Sequence, residues 1–367
     1  MYIKNLISGA SLLSLFLFSG CESIGPKGIK STHGDYNSAI AVTADEQQLL
    51  NIVRLKYRDS INFIEVSNIV ENRKFTTRFG GTKIGVGKHA GKTELSPLVH
   101  AELFQNPTIT YAPLRGKEFT ERMIAPIPVS VVFGLMQAGW NAECVFNLCI
   151  EEINGIENAP TASGPTPQEK PIFESFEHLS SLIGELCTQK KIIFGLDDTK
   201  EQNVIMSLDT IETSATQQAN QSNIKSLLGL DKNQDTFMVT SNYASSSTKD
   251  VNIRTRSMQE IMFFLSHSVH TPTEDITEGI VTTTVDQNGE VFDWNNNLAG
   301  KWLKIQCSTE SKRPGDAYIA VKYRNKWFYI ADNDLKSKST FMFVRNLFNL
   351  QSGNAYAAAP SLTIAAN

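Results

Sequence analysis

The sequence predicts an α+β fold of mixed helices and antiparallel β segments, built as one large body or as two loosely divided units. Three observations lead there. Apolar residues recur at helical spacing in 45–56, 117–153, 173–190 and 257–268. Residues 73–114 alternate polar with apolar and are rich in Thr, Val, Ile, Phe and Gly, which reads as antiparallel strands joined by glycine turns. Three short β-like segments, 302–307, 317–323 and 326–330, then run into a last helix. A chain of 367 residues is long enough for a sizeable core. Its 34 basic and 38 acidic residues leave a charge of -4, which excludes a basic nucleic-acid coat and a wholly disordered acidic chain.

Residues 1–20 read as an export signal. Lys4 supplies the positive start, an apolar run extends from Leu6 to Phe18, and Ser19-Gly20-Cys21 closes it. The run is shorter than the ~20 residues a membrane-spanning helix needs. It resembles the signal of bacterial lipoproteins, with Phe18 where leucine is usual. The resemblance implies that Cys21 becomes the lipidated N-terminus, since a thiol is the nucleophile that accepts the diacylglyceryl group. Glu22, in place of Asp, favours the outer membrane over the inner, on the periplasmic side. In that oxidising compartment Cys144, Cys149, Cys187 and Cys307 become disulfide candidates, with three full pairings open. Cys144 and Cys149, five apart in a helical segment, would pair only if the helix broke. Buried, reduced thiols are the alternative.

Residues 21–43 contain Gly, Pro, Ser and Asn and read as a tether. An N-terminal unit, 44–157, follows. Its first helix, 45–56, has Thr43 and Glu46 at capping-box spacing. Residues 63–70 form a strand, and 73–114 form a glycine-rich hairpin that packs blandly or pairs with a partner or neighbouring copies. Gly91-Lys92-Thr93 matches the end of a phosphate loop, but Val86 replaces its first glycine and Pro97 blocks the required helix. Helices at 117–125, 129–140 and 142–153 complete the unit, the last capped by Asn141. A surface linker, 158–171, separates it from a C-terminal unit, 172–367. There the pattern predicts a helix over 173–190. Strands 192–196 and 204–208 flank an Asp197-Asp198 turn, 210–223 is a loop or exposed helix, and 236–240 is a strand. A helix covers 257–268, and Arg324-Asn325 makes a tight turn between the last two strands. Ser337 or Ser339 caps the final helix, and the tail 355–366 adds an edge strand.

No catalytic centre emerges. The chain lacks GxSxG, and Cys307 has no nucleophile signature around it. His267 and His270 stand three apart without a third metal ligand and read as surface or capping residues. Asp332-Asn333-Asp334 begins like a calcium loop but lacks the glycine and terminal glutamate, so it reads as a β-turn with an Asx cap into the last helix. One aromatic and basic cluster is a candidate binding patch: Arg324, Lys326, Trp327, Tyr329, Lys336 and Lys338. It suits a glycan, a peptide or a protein partner. Trp327 and Tyr329 share one strand face and Phe328 takes the other. No catalytic residue, metal ligand, cofactor or nucleic-acid site is assigned.

The segments ADEQQLLNIVRLKYRD, NPTITYAPLRGKEF, YRNKWFYIADND and SKSTFMFVRNLFNLQSG resemble an uncharacterised family of Gram-negative lipoproteins, over most of the mature chain. The resemblance implies an envelope location and transfers no mechanism. The leading expectation is therefore a lipoprotein anchored to membrane lipid through Cys21, with envelope proteins as partners in a structural or secretion assembly. The alternative is an envelope hydrolase or glycan-binding module acting on peptidoglycan or polysaccharide.

Overall fold

The computed structural model describes residues 26–80, 98–196, 204–241 and 247–352. The export signal with Cys21, Gly91-Lys92-Thr93, the Asp197-Asp198 turn and the tail 355–366 lie outside the described residues. The fold is α+β, as the sequence predicts. By its contacts the chain divides into a body, running up to Asn62 and resuming at Arg115, and a ribbon, Phe63–Leu114.

The body opens with α1 (Pro26–Lys56), a single helix of 31 residues. This corrects both the tether and the cap at Thr43. The Thr43 hydroxyl donates to the Ala39 carbonyl at 2.7 Å, a bond to the preceding turn of a continuing helix. Burial begins only at Gln48, beyond which Leu49, Ile52 and Val53 are fully covered. That end of α1 packs on α7 (Met258–Ser266) and on strand β10 (Ala317–Tyr323).

Helices α2 (Lys117–Ile124), α3 (Val129–Gln137) and α4 (Ala142–Cys149) follow, and the Asn141 side chain caps α4 by accepting the Cys144 N–H at 2.8 Å. The expected helix to residue 153 stops at Cys149, because β3 (Ile150–Ile153) turns into a sheet. That sheet has six strands in the order β4 (Ile156–Glu157), β3, β8 (Asp250–Thr255), β7 (Thr236–Thr240), β6 (Val204–Leu208) and β5 (Ile192–Leu196). All neighbours are antiparallel except β7 and β8. Helices α5 (Glu174–Thr188) and α6 (Ala215–Leu227) accompany it, and Ser214 and Gln217 form a capping box on α6.

The β3–β8 pairing joins the segments on either side of 158–171, so the expected linker does not separate two units. It is packed instead. Asn158, Ala159, Ala162 and Thr166 are buried around a 3-10 turn, Pro160–Ser163. Small residues that read as surface fill the space beside a fully buried Arg256. The Asn158 amide donates to the carbonyls of Asn147 and Ile150, which satisfies that backbone internally.

Helix α8 (Thr273–Thr277) leads to a three-stranded antiparallel sheet in the order β10, β11 (Lys326–Ala331), β9 (Gln306–Ser308). The expected strand 302–307 shrinks to β9, after a second 3-10 turn, Leu298–Lys301. Gly300 explains the turn: a Cβ there would lie 2.1 Å from the Trp294 carbonyl oxygen. Arg324 and Asn325 both have positive φ, the geometry of a two-residue hairpin turn. The last helix, α9 (Leu335–Ser352), is capped by Asp334, not by Ser337 or Ser339. The Asp334 carboxylate accepts both the N–H and the hydroxyl of Ser337, at 3.0 and 2.7 Å.

The ribbon consists of β1 (Phe63–Gly80) and β2 (Leu98–Leu114) and forms a two-stranded antiparallel sheet. Its register runs from Phe63 opposite Leu114 to Gly80 opposite Leu98, with one irregularity between Val66 and Asn68.

Candidate functional site

The expected patch is brought together only in part, and its charges are already engaged. Lys326 pairs with Asp275 at 2.6 Å, and Tyr57 donates to the other oxygen of that carboxylate at 2.6 Å. Burial alone would raise the Asp275 carboxyl, but the hydrogen bonds from Lys326 and Tyr57 hold it below its ordinary value. Arg324 lies 5.0 Å over the Tyr57 ring and pairs with Asp59, which also accepts the Tyr323 hydroxyl. Lys338 pairs with Asp332, Lys336 covers the Trp302 ring at 4.2 Å, and Tyr329 donates to Gln306. Trp327 and Tyr329 are half-buried on one face of β11 while Phe328 is fully buried on the other, as the alternation predicts. These residues tie β10 and β11 to α1 and α8, a role that spacing alone does not reveal.

The four cysteines expected as disulfide candidates are free thiols. Cys144 and Cys149 are buried on a continuous helix, too rigid for the break that a mutual bridge needs. Burial pushes the Cys187 thiol up to about 12 and Cys307 to about 11, so neither is an activated nucleophile near neutral pH. Cys187 lines a cavity of about 410 Å³ with Trp140, Lys190 and Phe194.

The ribbon has the geometry of an interaction element. Eighteen residues at ~3.3 Å each extend it to about 60 Å. Among the described residues no third strand joins it, so a further strand can be added at its edges. Towards its foot Ile64, Ile109 and Tyr111 are exposed, with Tyr111 at 60%. The foot also carries the edge-blocking features, namely the irregularity after Val66 together with Pro107 and Pro113. The outer half has none of these.

A second feature escapes sequence reading. Lys56, at the end of α1, is 6% exposed and lines a cavity of about 340 Å³ in the body, with His267, His270, Thr283, Phe292 and Trp294. Among the described residues its ammonium makes no hydrogen bond or ion pair. Burial lowers its pKa to about 8. His267, expected at the surface, is 1% exposed. Its Nε2 meets the Ala162 carbonyl at 2.8 Å and its Nδ1 meets the Thr166 hydroxyl at 3.3 Å. A carbonyl only accepts, so Nε2 carries the proton and Nδ1 accepts. Burial first, and then the charge of Lys56, lower His267 to about 3, so the ring is neutral. Its face lies 4.6 Å from Trp294, whose Nε1 donates to Thr284 at 3.0 Å. Nothing in the local sequence around Lys56 separates it from the solvated lysine that usually ends an amphipathic helix.

No protein-family model, no curated protein and no solved structure matches the chain. The fold and the two features define an α+β body with an open cavity lined by a largely buried lysine, and a two-stranded ribbon as a second unit.

Proposed function

We propose that this chain is a lipoprotein anchored through Cys21 at the periplasmic face of the outer membrane, where it is a structural component of an envelope or secretion assembly. The observation that carries the reading is the ribbon. A two-stranded sheet is marginal in water without further strands or a packed face, and this one extends about 60 Å with an exposed apolar foot and, among the described residues, no third strand. A partner that adds strands to it satisfies the backbone and covers that surface. The lipoprotein-like signal ending at Cys21 supports the location. The dispersal of the aromatic and basic patch into internal pairs weighs against a glycan platform at that place. A photo-crosslinking residue at Tyr111, in the intact envelope, tests the proposal. Discrete high-mass adducts are expected, together with their absence when the probe sits at the exposed body residue Ile172. A ribbon probe that yields only monomer overturns the assembly role. Fatty-acid labelling of wild type but not Cys21→Ser tests the anchor separately.

A further inference from the structure

We propose that the Lys56 cavity of the body binds a small organic monocarboxylate, its carboxylate paired with the Lys56 ammonium and its apolar part against Trp294 and Phe292. This goes beyond the assembly role and does not depend on it, since every residue concerned belongs to the body. A cation withdrawn from water is stable only when it is paired or hydrogen-bonded. The other cations of the body that are nearly as deeply placed follow that rule. Lys225 meets Asp235 at 2.8 Å, Lys326 meets Asp275, and Arg256 spends its donors on carbonyls of Asn147, Leu148, Ile150 and Asn158. Lys56 alone among these has no acceptor among the described residues, yet it borders an open cavity.

The walls narrow the ligand class. Burial first, and then the charge of Lys56, keep His267 neutral, so it adds no second positive charge beside Lys56. Asp293, also in the wall, already accepts from the Asn295 N–H and the Asn296 amide, at 2.9 and 2.7 Å, and would repel a second negative charge. A monoanion balances this arrangement, whereas a phosphate dianion would leave a charge unpaired. Val269, Ile276, Phe292 and Trp294 offer apolar contact. The hydroxyls of Thr271 and Thr283 line the same cavity and bond to nothing else among the described residues, which leaves them for the second carboxylate oxygen or a ligand hydroxyl. A volume of about 340 Å³ lies at the small end of the range of ligand sites.

Calorimetric titration of the full chain with benzoate, hexanoate and lactate, and with benzamide as the uncharged counterpart of benzoate, tests the proposal. Saturable binding of at least one carboxylate is expected. For benzoate the expectation is affinity at least about tenfold above benzamide, and a loss of at least about tenfold in Lys56→Met. Failure of all three carboxylates to bind, equal binding of benzoate and benzamide, or undiminished binding by Lys56→Met overturns it. Should that variant not fold, the benzoate–benzamide comparison on the wild type decides alone. Failed crosslinking of the ribbon would leave this result untouched, and a failed titration would leave the ribbon's role intact.

Discussion

Lys56 destabilises the body while it carries its charge. Its pKa falls from 10.5 to about 8 on burial, so the unfolded chain holds this proton up to higher pH than the folded one. Stability therefore rises with pH between about 8 and 10.5, where the unfolded state binds more protons. Below that window both states are protonated and the full penalty persists, on the order of 3 kcal/mol at about 1.4 kcal/mol per unit. Lys56→Met is expected to raise stability by roughly 2–3 kcal/mol at neutral pH and to flatten the rise above pH 8. Urea denaturation of both proteins across that range checks it. His267 acts at the acid end: its folded pKa of about 3 lies below the ordinary 6.5, so its contribution is lost as pH falls through that interval. Neither residue was legible as buried. A lysine that ends an amphipathic helix and a histidine after another look the same in sequence whether water or a packed 3-10 turn faces them.

Among the elements, Arg256 binds the six-stranded sheet to the helices beneath it. It is fully buried, lies 4.3 Å over the Phe264 ring and donates to carbonyls at the end of α4 and the start of β3. Those carbonyls sit at the negative end of α4, which suits a cation. Arg256→Met keeps apolar volume but strips donors from four buried carbonyls, and is expected to cost about 3–5 kcal/mol in a urea melt. The strand beside it, β8, went unread although Val251, Ile253 and Thr255 are the buried members of a strict alternation. Strands β6, β7 and β10 were legible end to end because their apolar runs are bounded by polar turns. For α9 the sequence offers two caps, an Asx cap from Asp332-Asn333-Asp334 and Ser337 or Ser339, and the backbone path selects Asp334.

At the scale of the whole molecule, Asn62 and Arg115 belong to the same unit although 52 residues of ribbon, Phe63–Leu114, lie between them. Phe63 and Leu114 face each other across the foot of the ladder and are both buried. Replacing 64–113 by Asn-Gly keeps that pair and closes it with a two-residue hairpin turn. The shortened chain is expected to fold with a melting temperature within a few degrees of wild type, as judged by circular dichroism, because the body's core is retained. A molten or insoluble product would mean that the ribbon is part of the body's core. The same chain is expected to keep the Cys21-dependent fatty-acid label proposed for the wild type.

The α+β class, the hairpin character of 73–114, most helices and the C-terminal β pair follow from local pattern alone, because periods of 2 and 3.6 and turn residues act within a few neighbours; that 63–70 continues into the same strand does not. The lipoprotein-like signal is likewise local. Tertiary packing settled the rest: that 158–171 sends Asn158, Ala159, Ala162 and Thr166 into the body, that four cysteines are free thiols, that Arg324, Lys326 and Lys338 pair with Asp59, Asp275 and Asp332, and that among the described residues Lys56 lacks a counter-charge. Burial and ion pairing depend on residues as many as 265 positions apart, as in the Arg324–Asp59 pair, and no window along the chain contains both partners.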